Sequence, residues 1–192
     1  MGLKERVQDC LGSEIIEIVE YRKDLTVEVP KDKIVNILTK LKEAEGLKFD
    51  FLSDIIGVDN SALWEKKRAD KKKKKAKEEG NEQNEQEEKE LGPAPPRFEV
   101  IYSLLSLDSN ERLRVKIRVS EEDPVVDSIT KIWKGANWPE REIYDMFGIR
   151  FKGHPNLKRL LMWEGFTDHP LRKDYPLEGK GEERTFDECK YF

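Results

Sequence analysis

The sequence predicts an α+β protein, with an antiparallel or mixed sheet of about four or five strands and helices packed on one face. Segments in which apolar and polar residues alternate predict the strands, and segments with apolar residues at helical spacing predict the helices. From residue 153 onward this periodicity fails. We therefore expect a folded domain over residues 1–152, interrupted by a charged insertion at residues 64–96, and an extended irregular C-terminal arm over residues 153–192.

The composition limits what the chain can do alone. Of its 192 residues, 40% are charged and only 36% are hydrophobic, which is lean for a self-contained globule. The net charge of −4 creates no strong field toward nucleic acid or an anionic bilayer. The sequence has no apolar run of about 18 residues that would predict a membrane span. It also begins without the apolar segment of a signal peptide, so we expect a cytoplasmic protein.

The first part of the chain predicts two helices and three strands. Residues 3–11 carry apolar side chains at helical spacing and predict a short opening helix. Residues 16–29 alternate on both sides of a turn and predict a hairpin with one buried face. Residues 30–46 predict an amphipathic helix that proline opens and glycine ends. Residues 49–58 predict a strand that is covered on both sides.

The composition changes abruptly between residues 64 and 96. Lysines come first and glutamates follow, with almost no apolar residue, so this segment cannot bury enough surface to become ordered. The lysine run could be a patch for nucleic acid or lipid. The neighbouring glutamates cancel its field within about a Debye length, however, which favours a solvated loop.

Two adjacent strands are predicted after the insertion. Residues 98–105 alternate, and residues 112–119 alternate more strictly, so that four basic residues share one face of the second strand. These residues are Arg112, Arg114, Lys116 and Arg118. A nucleic-acid site is one interpretation of this face. Pairing with Glu99 or with an acidic partner surface is favoured, because the nearby aromatic residues are better placed for the core than for stacking on bases.

Residues 123–135 predict a further helix. Asp123 would be its N-cap, Pro124 would open its first turn, and Gly135 would end it. Val125 and Ile129 would lie on its apolar stripe. We expect this helix to form a compact pair with the helix that follows it.

The stretch from residue 136 to residue 161 organises the rest of the chain. Asn137 would cap a short helix with Pro139 in its first turn, and Gly148 would end it. Arg141 and Asp145 are one turn apart and could form an ion pair. After this helix, residues 149–151 could form a strand that returns to the sheet.

Catalytic and metal chemistry find little support in the sequence. Glu140, Arg141 and Glu142 are expected to neutralise one another at a helix end as a structural ion network, not as an acid/base site. His154 and His169 are the only histidines, and neither has the short spacing to other ligands that is usual in metal sites. We therefore expect no catalytic residue, no bound cofactor and no metal in this chain.

Cysteine and glycine patterns lead to the same expectation. Cys10 and Cys189 lie at opposite ends of the chain, so they do not make a four-cysteine cluster ligand set. The segment Gly179-Lys180-Gly181 lacks the spacing of a phosphate-binding loop, and no dinucleotide fingerprint occurs in the sequence.

The arm from residue 153 to residue 192 combines prolines and glycines with isolated large apolar residues. Such a segment is too short to fold alone, and its apolar groups cannot all remain in water. Part of the arm can cover its own domain. The remainder is expected to lie as a strap on another subunit.

The second half of the chain resembles the 30-kDa subunit of respiratory complex I, the proton-translocating NADH:quinone oxidoreductase. A signature with this many fixed positions is specific. The resemblance rests on Glu140-Arg141-Glu142, Asp145-Met146-Phe147, His154, Lys158, Leu160-Leu161, Gly165-Phe166 and residues 169–177, and it extends backward through residues 97–119.

The resemblance implies a structural subunit of the peripheral arm of that enzyme, which transfers electrons from NADH to quinone and translocates protons. The chain would bind the large hydrogenase-like (49-kDa) subunit beside the quinone site, near the iron–sulfur subunits. FMN, the iron–sulfur clusters and quinone would be held by other subunits. The chain would lie peripherally at the cytoplasmic face of a prokaryotic inner membrane and would contact the membrane only through the complex.

The resemblance also implies which residues serve docking and folding, and not catalysis. They are Trp138, Glu140, Arg141, Glu142, Asp145, His154, Lys158, His169, Pro170, Leu171, Arg172, Lys173, Asp174 and Tyr175. Two alternatives remain open. The chain could be the equivalent subunit of a membrane-bound hydrogenase or of a dehydrogenase with another electron donor, or it could be a nucleic-acid-binding module that uses its basic face.

Overall fold

The structure is a computed structural model that describes residues 2–22, 24–66 and 96–181. Its helices are α1 (Leu3–Leu11), α2 (Ile34–Glu43) and α3 (Asn137–Phe147), and residues 61–66 are also helical. Its strands are β1 (Glu17–Tyr21), β2 (Asp24–Glu28), β3 (Phe51–Asp59), β4 (Phe98–Leu105), β5 (Arg112–Val119), β6 (Val125–Asp127) and β7 (Arg150–Lys152). Most of the predicted insertion and the end of the predicted arm lie outside the described residues.

Five strands form one mixed sheet in the order β1-β2-β5-β4-β3. The strands β1 and β2 form the predicted antiparallel hairpin, and β3, β4 and β5 are antiparallel neighbours. Within this sheet, β2 and β5 are the pair that runs parallel. The predicted α+β class, with a sheet of four or five strands, is confirmed.

The helices lie against one face of this sheet. Ile37 and Leu41 of α2 are fully buried in the core. Gly57 of β3 lets α3 approach closely, because a Cβ atom at this position would lie 2.8 Å from Cδ2 of Phe147. The prediction that β3 is covered on both sides was wrong: Phe51 and Ile56 of this strand are 48% and 42% exposed. Both side chains lie on the sheet face opposite α2 and α3.

The predicted helix at residues 123–135 is also wrong. Residues 125–127 form β6, which pairs in parallel with β7 in a separate two-stranded sheet. Val125 and Val126 are β-branched and favour a strand once β7 supplies a partner. Asp123 pairs with Lys31 through its carboxylate and does not cap a helix. The predicted strand after α3 does form as β7, but it pairs with β6 and does not join the main sheet.

The predicted pairing of the basic face of β5 with Glu99 is confirmed for Lys116 and Arg118, but Glu28, which was not predicted as a partner, lies nearer. Lys116 Nζ lies 2.8 Å from Oε2 of Glu28 on β2, and Arg118 Nε lies 2.8 Å from Oε1 of the same carboxylate. Glu99 on β4 is more distant, at 3.7 Å from Lys116 and 3.9 Å from Arg118. Glu28, which is buried, is therefore the main acidic partner of these two residues.

Candidate functional site

Helix α3 begins without the predicted cap. Asn137 is the first helical residue and follows the 3₁₀ turn Lys134–Ala136, so its side chain does not cap the helix. Its carbonyl oxygen lies instead 3.1 Å from Nε2 of His154, whose Nδ1 accepts a hydrogen bond from the amide of Asn156 at 3.0 Å. Because Nδ1 accepts, Nε2 carries the proton and donates to Asn137. His154 therefore joins the start of α3 to the start of the arm.

Asp145, in the last turn of α3, has a fully buried carboxylate that holds the arm. Its Oδ1 accepts a hydrogen bond from Nη1 of Arg159 at 2.7 Å. Its Oδ2 accepts from the amides of Leu160, Leu161 and Met162 at 3.0, 2.8 and 2.9 Å. Burial acts to raise the pKa of Asp145, but the three amides and the guanidinium outweigh burial, so the pKa lies below its ordinary value.

The predicted ion pair between Arg141 and Asp145 is thus wrong. Arg141 donates through Nε to the carbonyl of Lys158 and through Nη2 to that of Arg159, both at 3.0 Å. The carboxylate of Asp145 is turned into the arm, where four donors converge on it. Helical spacing alone could not reveal this, because the partners lie 14 to 17 residues further along the chain.

The arm also satisfies the carbonyl groups at the C-terminal end of α3. Nδ1 of His169 lies 2.9 Å from the carbonyl oxygen of Asp145, so Nδ1 carries the proton. The amide of Leu171 donates to Met146 at 3.2 Å, and Nε of Arg172 donates to Phe147 at 2.7 Å. The last carbonyls of a helix have no partner within the helix. Residues 169–172 are therefore a C-terminal cap for α3.

Gly148 allows this close approach. It ends α3 with φ of 79°, in the left-handed region that favours glycine. A Cβ atom here would lie 2.5 Å from both Nη2 of Arg172 and Nε2 of His169. Any larger residue at this position would push the arm away from the helix.

A second attachment holds the arm near the ends of β3 and β4. Nη2 of Arg97 lies 2.7 Å from Asp59 and 2.8 Å from Asp174, while Nη1 lies 2.6 Å from Glu121. The amide of Lys173 donates to the buried carboxylate of Asp59 at 2.9 Å. Burial acts to raise the pKa of Asp59, but Arg97 and the amides lower it well below its ordinary value. No sequence pattern indicated this role for Asp59, although it faces Phe98, the neighbour of Arg97, across paired strands.

Glu140 is buried beneath the first turns of α3. Its Oε2 accepts a hydrogen bond from the hydroxyl of Ser128 at 2.6 Å, and its Oε1 accepts from the amide of Ile129 at 2.8 Å. Burial raises the pKa of Glu140 to about 7. The predicted mutual neutralisation of Glu140, Arg141 and Glu142 was wrong. Arg141 reaches the arm, and Glu142 is exposed and makes no ion pair with another described residue.

Residues 27–181 match the family model described as "Respiratory-chain NADH dehydrogenase, 30 Kd subunit". This chain belongs to that family. The resemblance found in the sequence is confirmed. Several residues of the 30-kDa signature, among them Asp145, His154 and His169, make the contacts between α3 and the arm.

Relatives that are named as a subunit of NADH-quinone oxidoreductase support the assignment. The one from Hydrogenovibrio crunogenus is 40% identical over 193 residues, covering 96% of this chain and 83% of the relative. The one from Citrifermentans bemidjiense is 39% identical over 181 residues, covering 94% and 89%. As a 30-kDa subunit homologue, the chain is a subunit of an oxidoreductase complex and partners other subunits of that complex.

Two solved structures resemble the fold. A trypsin-resistant fragment of Nqo5 is 28% identical with a TM-score of 0.55, and the match covers 82% of this chain and 100% of the fragment. A chain of an archaeal membrane-bound sulfane sulfur reductase complex is 21% identical with a TM-score of 0.64, covering 97% and 96%. The second match concerns the fold alone.

The remaining signature residues of this 30-kDa family member lie on α3 and on the arm. Trp138 is 67% exposed and Leu171 is 50% exposed. The side chain of Lys158 is exposed, Pro170 is half-buried beside His169, and the half-buried ring of Tyr175 lies 6.2 Å from that of Phe166. No group of three or more side chains that could hold a metal ion occurs among residues 2–22, 24–66 and 96–181. Within the same residues, no helix is both long and apolar enough to cross a membrane.

Proposed function

We propose that this chain is a docking subunit of the peripheral arm of NADH:quinone oxidoreductase, with its C-terminal arm laid on the large hydrogenase-like subunit next to the quinone site. The holoenzyme transfers electrons from NADH to quinone and translocates protons. In this proposal the chain carries no redox cofactor, and FMN and the iron–sulfur clusters belong to other subunits. The complex places the chain at the cytoplasmic face of the inner membrane.

The proposal rests on one observation: the polar groups of the arm face inward, whereas several of its large apolar side chains face outward. Its backbone and polar side chains bind inward to α3 and β3, through the contacts of Asp145 and Asp59. Several of its large apolar side chains remain outside: Leu161 is 62% exposed, and Leu177 is fully exposed. A segment that is held firmly and presents apolar groups outward is suited to bind a protein surface.

The contacts of β5 argue against the nucleic-acid alternative. Arg114, Lys116 and Arg118 pair with acidic residues of the same sheet, which cancels most of their field. The other alternative, a subunit of a hydrogenase or of a dehydrogenase with another donor, would use the same docking contacts. The donor module that copurifies with the complex distinguishes it.

Affinity purification from the native membrane tests the docking role. A chain with both Leu161→Asp and Leu177→Asp should fold normally, because both side chains are exposed, and should recover much less of the large subunit. Ile16→Asp is a matched control, since Ile16 is 61% exposed and precedes β1, away from the arm. Recovery of the full set of subunits with the double variant would contradict the proposal.

A further inference from the structure

The sheet face opposite the helices, here called the open face, carries exposed apolar side chains as well as the charged residues of β5. On β3 and β4 the strand register pairs Phe51 with Leu105 and Ile56 with Ile101 on this face. These two apolar pairs, here called the apolar strip, lie on either side of the polar pair Asp54 and Ser103. Phe51 and Ile56 are 48% and 42% exposed, and Leu105 and Ile101 are half-buried.

A cavity of about 310 Å³ lies beside the apolar strip. The open face contributes side chains from β2, the β3 bulge, β4 and β5. They are Asp24, Ser53, Ser103, Leu105, Arg112 and Arg114. The same cavity touches Leu25, Leu104 and Leu113, whose side chains are buried on the other face, so the strand backbone forms its floor.

Some polar side chains that line the cavity have no partner within the described part of the chain. Arg114 pairs with Asp24 at 2.9 Å. Arg112 makes no ion pair or side-chain hydrogen bond with another described residue, and the hydroxyls of Ser53 and Ser103 are likewise unpaired within residues 2–22, 24–66 and 96–181. The neighbouring acid on β3, Asp54, accepts a hydrogen bond from the amide of Ile55. The cavity is therefore lined by two guanidinium groups and one carboxylate, and that carboxylate pairs with Arg114 and not with Arg112.

We propose that the open face binds a segment of another subunit of the complex, which inserts an acidic side chain into this cavity and rests apolar side chains on the apolar strip. A guanidinium and two hydroxyls supply donors that match a carboxylate. A free anion could fill the cavity but would leave Phe51 and Ile56 in water, whereas a polypeptide covers both. The inference rests on membership of the complex and not on the role of the arm.

Charge reversal at Arg112 tests the inference. The full-length chain with Arg112→Glu should unfold like the wild type, because the side chain is exposed and has no partner in the described structure. When the variant replaces the native subunit in the complex, we expect about tenfold less of it to remain bound after purification through another subunit. Arg150→Glu is the matched control, because Arg150 is also an exposed arginine on a strand, but lies on β7 outside the main sheet.

Photocrosslinking identifies the occupant. A benzophenone amino acid in place of Phe51, activated in the assembled complex, should crosslink to a segment of another subunit that contains Asp or Glu. Replacing that acid by Arg should restore binding of the Arg112→Glu variant. Crosslinks to this chain's own residues or to a second copy of it would overturn the proposal, and so would wild-type retention of Arg112→Glu.

The two docking proposals can fail separately. Loss of subunits with the Leu161→Asp and Leu177→Asp chain but not with Arg112→Glu would contradict the open-face proposal and leave the arm proposal standing. The reverse result would contradict the arm proposal alone.

Discussion

Asp145 and Arg159 form a buried ion pair of 2.7 Å that joins helix α3 to the C-terminal arm. The side chain of Asp145 is fully buried, and that of Arg159 is 14% exposed. The guanidinium also donates to the carbonyl of Asp168 at 3.1 Å, so one side chain bridges the helix and two parts of the arm. Asp145 belongs to the 30-kDa signature, and Arg159 lies between its residues Lys158 and Leu160.

Removing the Arg159 side chain should release the arm. The Arg159→Ala variant leaves the Asp145 carboxylate buried without its counter-ion, which costs about 3 to 5 kcal/mol when a buried pair is broken. We expect lower stability in urea and faster proteolysis near residues 159–162. Glu142→Ala, an exposed change on the same helix, should leave both measurements unchanged. Equal protection of the arm in Arg159→Ala and wild type would show that the pair is not needed.

Acid should loosen the arm. The pKa of Asp145 is lowered in the folded state, so its stabilising effect is present above its unfolded pKa and is lost as pH falls through the folded value. Asp59 behaves in the same way. We expect the free energy of unfolding to decrease once the pH is below about 4, which is close to the ordinary pKa of aspartate. Urea titrations at each pH should show that the free energy of unfolding of an Asp145→Asn chain depends less on pH in that range. An unchanged pH dependence would contradict the assignment.

Glu140 should produce the opposite pH dependence. Its pKa is raised from 4.5 in the unfolded chain to about 7 in the folded chain. Its contribution to the free energy of unfolding is therefore complete below pH 4.5 and is lost as the pH rises toward and past 7. Glu140→Gln should remove this dependence and stabilise the chain at pH 8 by up to about 3 kcal/mol. The amide can still accept from Ile129 and donate to Ser128. Glu142→Gln is the control, and a Glu140→Gln chain that is less stable at pH 8 would refute the prediction.

Two glycine substitutions separate backbone strain from collision with the arm. Gly148 and Gly153 have φ of 79° and 82°, so alanine at either position costs about 1 to 2 kcal/mol of backbone strain. Only at Gly148 would the Cβ atom meet His169 and Arg172, whereas at Gly153 no atom lies within 4 Å. We therefore expect Gly148→Ala to be the more destabilising in thermal unfolding and to expose the arm to proteolysis. Equal effects of the two changes would mean that the arm does not pack closely at Gly148.

Local patterns were enough for most of the main sheet. The alternation in residues 98–105 and 112–119 predicted β4 and β5 and their shared basic face, because a strand places alternate side chains on opposite faces whatever its neighbours are. The same reasoning failed for residues 123–135. There the spacing of a few apolar residues favoured a helix, whereas two adjacent valines favoured a strand. The strand forms because it pairs with β7, which lies more than 20 residues further on.

The sequence by itself determined the α+β class, the order of most elements and, through the 30-kDa signature, the family. Only the tertiary structure decided what the signature residues do. Asp145 turns away from Arg141 toward Arg159 and three amides of the arm, and Glu140 is buried against Ser128 instead of pairing with its neighbours. The physical reason is that secondary structure follows from the spacing of nearby side chains, whereas a buried carboxylate takes the donors that the folded chain brings to it, and these come from distant segments.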